Sequence, residues 1–600
     1  MKTDDFVDLA RITFLTHLPA GAPEPSPSHI QLLAKLLCAA ASGRGALELG
    51  KLNLSPQEIA ALASYPHIFS LEHGLVLLPR YASHAAKVRA FFEANIHADG
   101  GRFDSHSVRR ALDAVLPRQA ITDASGRVIF DNAHQRLAIA ALLDARVGVL
   151  TGGPGTGKTA TAAALLAIRK RLDPGLLAEQ VLVTAPTGKA ACRIAESILN
   201  SIGHLETLSA EETDFLQAIR SLTLHKALEW SRIPPERGGP FRRNTERPLE
   251  ARLVLVDEAS MVDLSLMHAL VRALPQDASL LLLGDSDQLE SVEVGGILAE
   301  LVQRARHAPL PAIATRRIGE RLGLTETEVH SEFEGGLPPA PKSPYAPLPG
   351  LVFGLQYSRR AMKAQWVLDL AGLVRPGART DFEEIKACFA RHPDTLVWHQ
   401  KTSPQTRAEH LHKHWLEWSR QSRDWTNFSE QTPAEQLAKP LEKLARFQLL
   451  CSTNAQVDRA NAEGIRLLAP ERGVGAGNVP HGCPIIIQAN DRTLGLTNGD
   501  VGVALGSAFG APASVVLFPS PGDRPRLVAL AQLPEYRPAF ALTIHKSQGS
   551  EWSHIAIELP AQSEAALLTR NLLYTAITRS SGKIDLIGSE NVLRQIAALA

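Results

Sequence analysis

No apolar run in this 600-residue sequence approaches the length needed to cross a bilayer, so a membrane-spanning helix is not expected. Cysteine is scarce and scattered. Cys38, Cys192, Cys388, Cys451 and Cys483 form no CxxC pair, which argues against a zinc ribbon or a disulfide framework and suits a reducing cytoplasm. The opening Met1-Lys-Thr-Asp-Asp-Phe-Val-Asp carries early acids and no apolar signal core, so secretion is not expected. An excess of one charge is also missing: 63 Lys plus Arg against 62 Asp plus Glu leave a net charge of +1. Any nucleic-acid site must therefore be a local track rather than a whole-surface attraction.

What remains is the composition of an ordinary soluble globular protein, 45% hydrophobic and 21% charged. The length exceeds what one core supports, and about four structural units are expected. Residues 1–120 show helical periodicity, as in Ile30–Cys38 and Ala86–Phe92, and carry no catalytic motif. Over 121–330 short continuous apolar runs alternate with helical stretches. Val147–Leu150, Val181–Thr184, Leu253–Val256 and Leu280–Leu283 fit strands of a parallel α/β sheet covered on both faces. Six prolines between Pro338 and Pro349 mark 331–352 as a linker. A second α/β pattern fills 353–600, with strands expected at Thr395–His399, Phe447–Cys451, Ala539–Ile544, Ile555–Leu559 and Ile584–Ile587. Inside it, 473–534 reads as a β-rich insertion with a turn at Asn498-Gly499-Asp500.

Gly152, Gly153, Pro154, Gly155, Thr156, Gly157, Lys158 and Thr159 make a complete GxxxxGK[ST] loop between a strand and a helix. Its glycines let successive backbone N–H groups and the helix N-terminus point at phosphate oxygens. Lys158 is placed to reach the β- and γ-phosphates of ATP, and the Thr159 hydroxyl to hold Mg²⁺. About a hundred residues on, the strand Leu253–Val256 ends in Asp257-Glu258. Asp257 is expected beside the metal and Glu258 as the base that activates water. Gly284-Asp285-Ser-Asp287-Gln288 ends a third strand, and Gln288 suits a sensor of the γ-phosphate.

This ordered set resembles the superfamily-one DNA helicases. Pro186, Thr187, Gly188 and Lys189 look like that family's first DNA-contacting motif, and Thr223 with His225 like a second. Their hydroxyls and backbone N–H groups suit phosphate contacts that position a strand without reading its bases. Arg360 matches the arginine that opens the second motor domain, although Arg359 stands beside it. The string Thr543-Ile-His545-Lys546-Ser-Gln-Gly549-Ser-Glu551 is the most family-specific. In relatives it couples single-stranded DNA to ATP, with Glu551 near the ribose. Arg579 supplies the cross-domain finger, and Gln135 looks like the adenine-reading Gln motif.

Over nearly the whole chain the sequence is most similar to the RecD family, the α subunits of RecBCD-type exodeoxyribonuclease V. The resemblance implies two RecA-like P-loop domains with parallel sheets, a helical N-terminal partner-docking domain and a small SH3-like β insertion. It also implies an ATP- and Mg²⁺-dependent 5′-to-3′ DNA helicase of double-strand break repair, cytoplasmic and bound to RecB-like and RecC-like subunits in a heterotrimer. Single-stranded and duplex-end DNA would be its substrates. A free-standing RecD-like helicase is the alternative. The N-terminal region is shorter than in stand-alone relatives, which favours the complex. Phe241–Asn244 falls where relatives carry a short hairpin near the point of strand separation. No clustered carboxylate nuclease motif is present, so cutting is expected from another subunit. His410-Leu-His412-Lys-His414 has no acid or cysteine partner in place and reads as a solvated helix face.

Overall fold

The computed structural model describes all residues except 1–2, 18–23, 42–45, 53, 97–100, 123–127, 131, 232–239, 290–295, 307, 337–342, 344, 357–363, 379, 401–403, 430, 469–478, 492, 508–510, 521–523 and 599–600. The chain begins with helices Thr3–His17 and Pro27–Ala41 and a small antiparallel sheet of β1 (Ala46–Glu48), β2 (Ser70–Glu72) and β3 (Leu75–Leu77). These pack around their own core of Phe6, Phe14, Leu33, Leu36, Tyr65 and Val76. Helices Pro79–Asn95 and Ser105–Val115 were expected in the same unit. Their apolar faces (Val88, Phe92, Val108, Leu112) instead join the core of the unit that follows. A two-stranded ribbon, β4 (Ala120–Thr122) and β5 (Val128–Phe130), comes next.

The first motor unit is a six-stranded parallel sheet. Its strands are β6 (Val147–Gly152), β7 (Val181–Ala185), β8 (Ser221–Thr223), β9 (Leu253–Val256), β10 (Ser279–Gly284) and β11 (Val352–Leu355), in spatial order β11-β6-β10-β9-β7-β8. Every residue of β9 and β10 is buried, because helices cover both faces. Helix Lys158–Leu172 shows the same logic: Thr161 to Lys170 are all buried, and the run of alanines lets it lie close to the sheet. Strand β11 corrects the expected boundary. Rather than opening the second motor unit, it pairs in parallel with β6, with Phe353 opposite Leu150. The described part of the proline-rich segment is likewise no free linker. Leu348 and Leu351 are buried in the first core, Arg304 Nε donates to the Ala346 carbonyl at 2.7 Å, and the Arg89 guanidinium lies 3.8 Å from the Tyr345 ring centre.

The second unit begins with β12 (Leu396–His399) and β13 (Phe447–Cys451). The insertion then supplies β14 (Pro484–Ile487), β15 (Val501–Gly506), β16 (Ala513–Phe518), β17 (Arg526–Ala529) and β18 (Tyr536–Pro538), a five-stranded antiparallel sheet. Strands β19 (Ala541–Thr543), β20 (Trp552–Glu558) and β21 (Ser580–Ile587) complete a parallel sheet in the order β12-β21-β20-β13-β19. No helix among the described residues is long and apolar enough to cross a membrane.

Candidate nucleotide and nucleic-acid site

Parallel pairing brings the carboxyl ends of β6, β9 and β10 side by side, with Gly284 opposite Thr151 and Leu282 opposite Val256. Ligands of open α/β sheets bind at such ends. The loop after β6 turns into helix Lys158–Leu172 through Gly157, whose φ of +86° is left-handed. A Cβ there would stand 2.3 Å from Gln135 Nε2 and push that side chain aside, but it is the left-handed backbone that favours glycine. Gln135 Nε2 donates to the Thr156 carbonyl at 3.3 Å, which places the expected Gln motif against the loop. Lys158 Nζ is turned back onto the carbonyls of Gly152 (2.6 Å) and Gly153 (3.2 Å), a cation held where phosphate oxygens are expected to compete for it.

A cleft of about 340 Å³ runs between the two units. Pro154, Gly155, Gly157, Lys158 and Thr159 line it together with Asp257, Glu258 and Gln288 from the first unit. Gly549, Glu551 and Arg579 face them from the second. Gly152, Gly153 and Thr156 line an adjoining cavity of about 240 Å³ with Tyr574 and Arg375. The Asp257 carboxylate accepts from the Glu258 N–H at 2.9 Å. Burial and the neighbouring Glu258 push its pKa up to about 7. Glu258 holds a left-handed φ of +51° without being glycine, a strained conformation of the kind concentrated at functional sites.

A chain of bonds crosses the cleft at Gln288. Its Nε2 donates to Asp285 Oδ2 at 3.0 Å, and its Oε1 accepts from Arg579 Nη2 at 2.8 Å. Arg579 is buried and also donates to the carbonyls of Thr575 (3.2 Å) and Ser550 (3.4 Å). Burial draws its pKa below the usual value, while Glu258, Asp285 and Glu551 favour its charged form. The buried Tyr574 hydroxyl donates to Asp285 Oδ2 at 3.2 Å, the Leu289 N–H donates to Thr575 Oγ1 at 2.9 Å, and Arg375 pairs with Asp287. Burial and Asp285 raise the Asp287 carboxyl to about 6 against the pull of Arg375. The expected Arg360 lies outside the described residues.

The candidate nucleic-acid residues divide into three places. Gly188, Thr223 and His225 line a groove of about 790 Å³ with Lys226, Trp230 and, from the insertion, Asn490, Asp491, Gly495, Leu496 and Thr497. Thr543 and Lys546 line a separate cavity of about 280 Å³, and His545 is exposed beside them. Lys189 departs from expectation. Its Nζ donates to Ser550 Oγ (2.6 Å) and the Gly499 carbonyl (3.3 Å), tying the first unit to the insertion turn. Burial lowers its pKa to about 8. Thr187, Thr223 and Thr543 accept N–H bonds from Ala190, Lys226 and Lys546, so each hydroxyl also caps a turn. Pro186 precedes the first of these caps at the end of β7 and is half-buried. Phe241 bridges to Trp230 in antiparallel fashion, and the Ser231 N–H donates to the Pro240 carbonyl at 2.8 Å. Of the expected Phe241–Asn244 segment, Phe241 alone takes part in this bridge, and residues 232–239 lie outside the described set.

An AAA-domain family model matches residues 135–294, and a UvrD-like helicase C-terminal domain model matches 538–587. RecBCD enzyme subunit RecD of Mycobacterium tuberculosis is 32% identical, covering 78% of this chain and 70% of that protein. The chain belongs to the RecD family. RecBCD enzyme subunit RecD of Mycolicibacterium smegmatis is 30% identical over 81% of this chain and 76% of that protein. The ATP-dependent RecD2 DNA helicase of Deinococcus radiodurans is 26% identical over 92% of this chain and 60% of its own length. This RecD-family chain also carries site residues that its motifs did not announce. Arg375 pairs with Asp287, 88 positions away, and Tyr574, which opens the Arg579 string, meets Asp285. Trp230, 48% exposed in the groove, stands four residues after the pair His225-Lys226, an aromatic beside a basic string of the kind on which bases stack.

Proposed function

We propose that this chain is the ATP-driven 5′-to-3′ helicase subunit of a RecBCD-type helicase/nuclease acting in double-strand break repair and recombination. The observation that carries the reading is the bridge at Gln288, which joins Asp285 of one motor unit to Arg579 of the other across the nucleotide cleft. ATP with Mg²⁺ supplies the phosphoanhydride whose cleavage drives movement. Lys158 and the loop N–H groups would hold its phosphates, and Gln135 and Glu551 its nucleoside end. Thr159 and Asp257 suit the cation, because a buried carboxylate crowded by Glu258 is relieved by a divalent charge. Glu258 orients and deprotonates water, and Arg579 neutralises charge developing on the γ-phosphate.

Single-stranded DNA would cross the groove at Gly188, Thr223 and His225 and continue past Thr543 and Lys546, held by backbone contacts. The names of the relatives support RecB-like and RecC-like partners. The free-standing alternative has less support, since the RecD2 relative is the more distant and the longer. Lys158→Gln is expected to abolish DNA-stimulated ATP hydrolysis, and turnover near the wild-type rate would defeat the assignment. A tagged pull-down from the native host should bring down two large proteins, one with nuclease activity. Recovery of the chain alone, with 5′-tailed duplexes still unwound, would instead favour a free-standing helicase.

A further inference from the structure

Away from the nucleotide cleft, the second motor sheet gathers histidines around a buried acid. Parallel register places Ala556 opposite Asp585, His554 opposite Lys583 and Phe447 opposite His554. Val397 stands opposite Asp585, two positions before His399 on β12. Alternation of side chains along a strand therefore puts Phe447, His554, Asp585 and His399 on one face. Helix Pro404–Ser422 covers that face and brings in His414. The His414 ring stacks on Phe447 with centroids 4.1 Å apart and meets His554 edge to face at 4.8 Å. The expectation of a solvated His410–His414 face thus fails at His414, which is half-buried. The side chains of His410 and His412 lie outside the described set. The acid missing from the local sequence comes from Asp585, a strand residue far along the chain.

The Asp585 side chain is fully buried, with His554 Nε2 at 2.5 Å from Oδ2 and His399 Nε2 at 3.5 Å from Oδ1. One donor atom from each of His414, His554 and Asp585 lies within 4.8 Å of the other two. Zinc bonds of about 2.0–2.2 Å put tetrahedral ligand atoms roughly 3.4 Å apart, so the ion takes the place of the proton shared by His554 Nε2 and Asp585 Oδ2, that pair opening by about 1 Å while the widest pair closes by about 1.5 Å. Two imidazoles and one carboxylate form a borderline donor set that suits Zn²⁺. A cavity of about 290 Å³, lined by both His414 and His554, gives an ion a way in and leaves room for water as fourth ligand. His399 is placed to hold the far carboxylate oxygen, as outer partners of metal ligands do.

We propose that His414, His554 and Asp585 bind one Zn²⁺ ion, which ties helix Pro404–Ser422 to β20 and β21. The same helix sends Trp418 to the insertion, where its Nε1 donates to the Gly482 carbonyl at 2.8 Å, so the ion also braces the insertion against the motor sheet.

The test uses the full chain stripped of metal, titrated with Zn²⁺ against a chromophoric chelator and, in parallel, with Co²⁺ as a spectroscopic probe of four-coordination. The wild type should take up one equivalent and gain several degrees in Tm. His414→Phe keeps the stack on Phe447 and should weaken binding at least about tenfold. His554→Gln should do the same, should the first variant fold poorly. Both should keep zinc-free DNA-stimulated ATP hydrolysis, the check that they are folded. Equal Zn²⁺ affinity in the wild type and the folded variants, or no one-equivalent binding by the wild type, overturns the proposal.

Discussion

Gln288 has two amide atoms and spends them on two different motor units, the nitrogen on Asp285 and the oxygen on Arg579. Any change at the γ-phosphate position that moves Arg579 must therefore also move Gln288. Arg579→Ala is expected to lower DNA-stimulated kcat by roughly 10³–10⁵. Nucleotide affinity should stay within a few-fold, as measured with a fluorescent ATP analogue, because the loop and Lys158 are untouched. Loss of binding in proportion to kcat would assign Arg579 to ground-state binding instead. At this scale the sequence was readable where chemistry fixes spacing along the chain. Pro154, Gly155, Gly157, Lys158 and Thr159 of the loop line one cleft with Asp257, Glu258, Gln288 and Arg579. It was not readable where two distant segments meet: the partner of Tyr574 is 289 positions away. Lys189 shows a related limit. Its string gives the neighbourhood but not the direction of a long side chain, which the Gly499 carbonyl and the Ser550 hydroxyl decide.

Helix Pro79–Asn95 docks on helix Leu264–Ala273 partly through two imidazoles, His84 and His268, stacked 4.2 Å apart. Burial lowers both pKa values, that of His268 to about 4, with Lys87 and Arg272 adding to the effect on both and Arg80 and Asp263 also facing His84. His268 therefore stays neutral in the folded protein down to about pH 4 and His84 is biased the same way, whereas in the unfolded chain each ring takes a proton near pH 6.5. Below that value the unfolded state binds more protons, so stability falls with pH until the folded pKa is reached. Tm should be lower at about pH 5 than at pH 7, by an amount corresponding to roughly 1 kcal/mol or more. His268→Phe should flatten the profile between those values, and an unchanged slope would exclude the pair as its source. Leu253–Val256 and Phe447–Cys451 form as read, the first because an apolar run of four buried on both faces fits a parallel strand, the second because Gln448 is the one polar residue among apolar neighbours. Strand β11 was not legible, since its neighbourhood is proline-rich and its partner β6 lies some two hundred residues earlier. The assignment of Pro79–Asn95 failed for a similar reason: periodicity identifies an apolar face without naming what it covers.

Across the whole molecule, a net charge of only +1 means that attraction to DNA must come from tracks such as His225 and Lys226 rather than from the surface at large. Affinity for single strands should fall with salt at about −0.7 in log–log slope per neutralised phosphate. Trp230→Ala should remove roughly 1–3 kcal/mol of that affinity through lost stacking while leaving the slope unchanged. Fluorescence anisotropy across a salt series separates the two effects, and a change of slope with no change of intercept would contradict the stacking role. The single passage of the chain between motor units also has a mechanical consequence. It leaves the first sheet at Leu355, beside the strand that carries the phosphate loop, and Gln356 lines the same small cavity as Gly152. The covalent path toward the second unit therefore departs from beside the phosphate loop, so a shift of the loop acts directly on the point of departure.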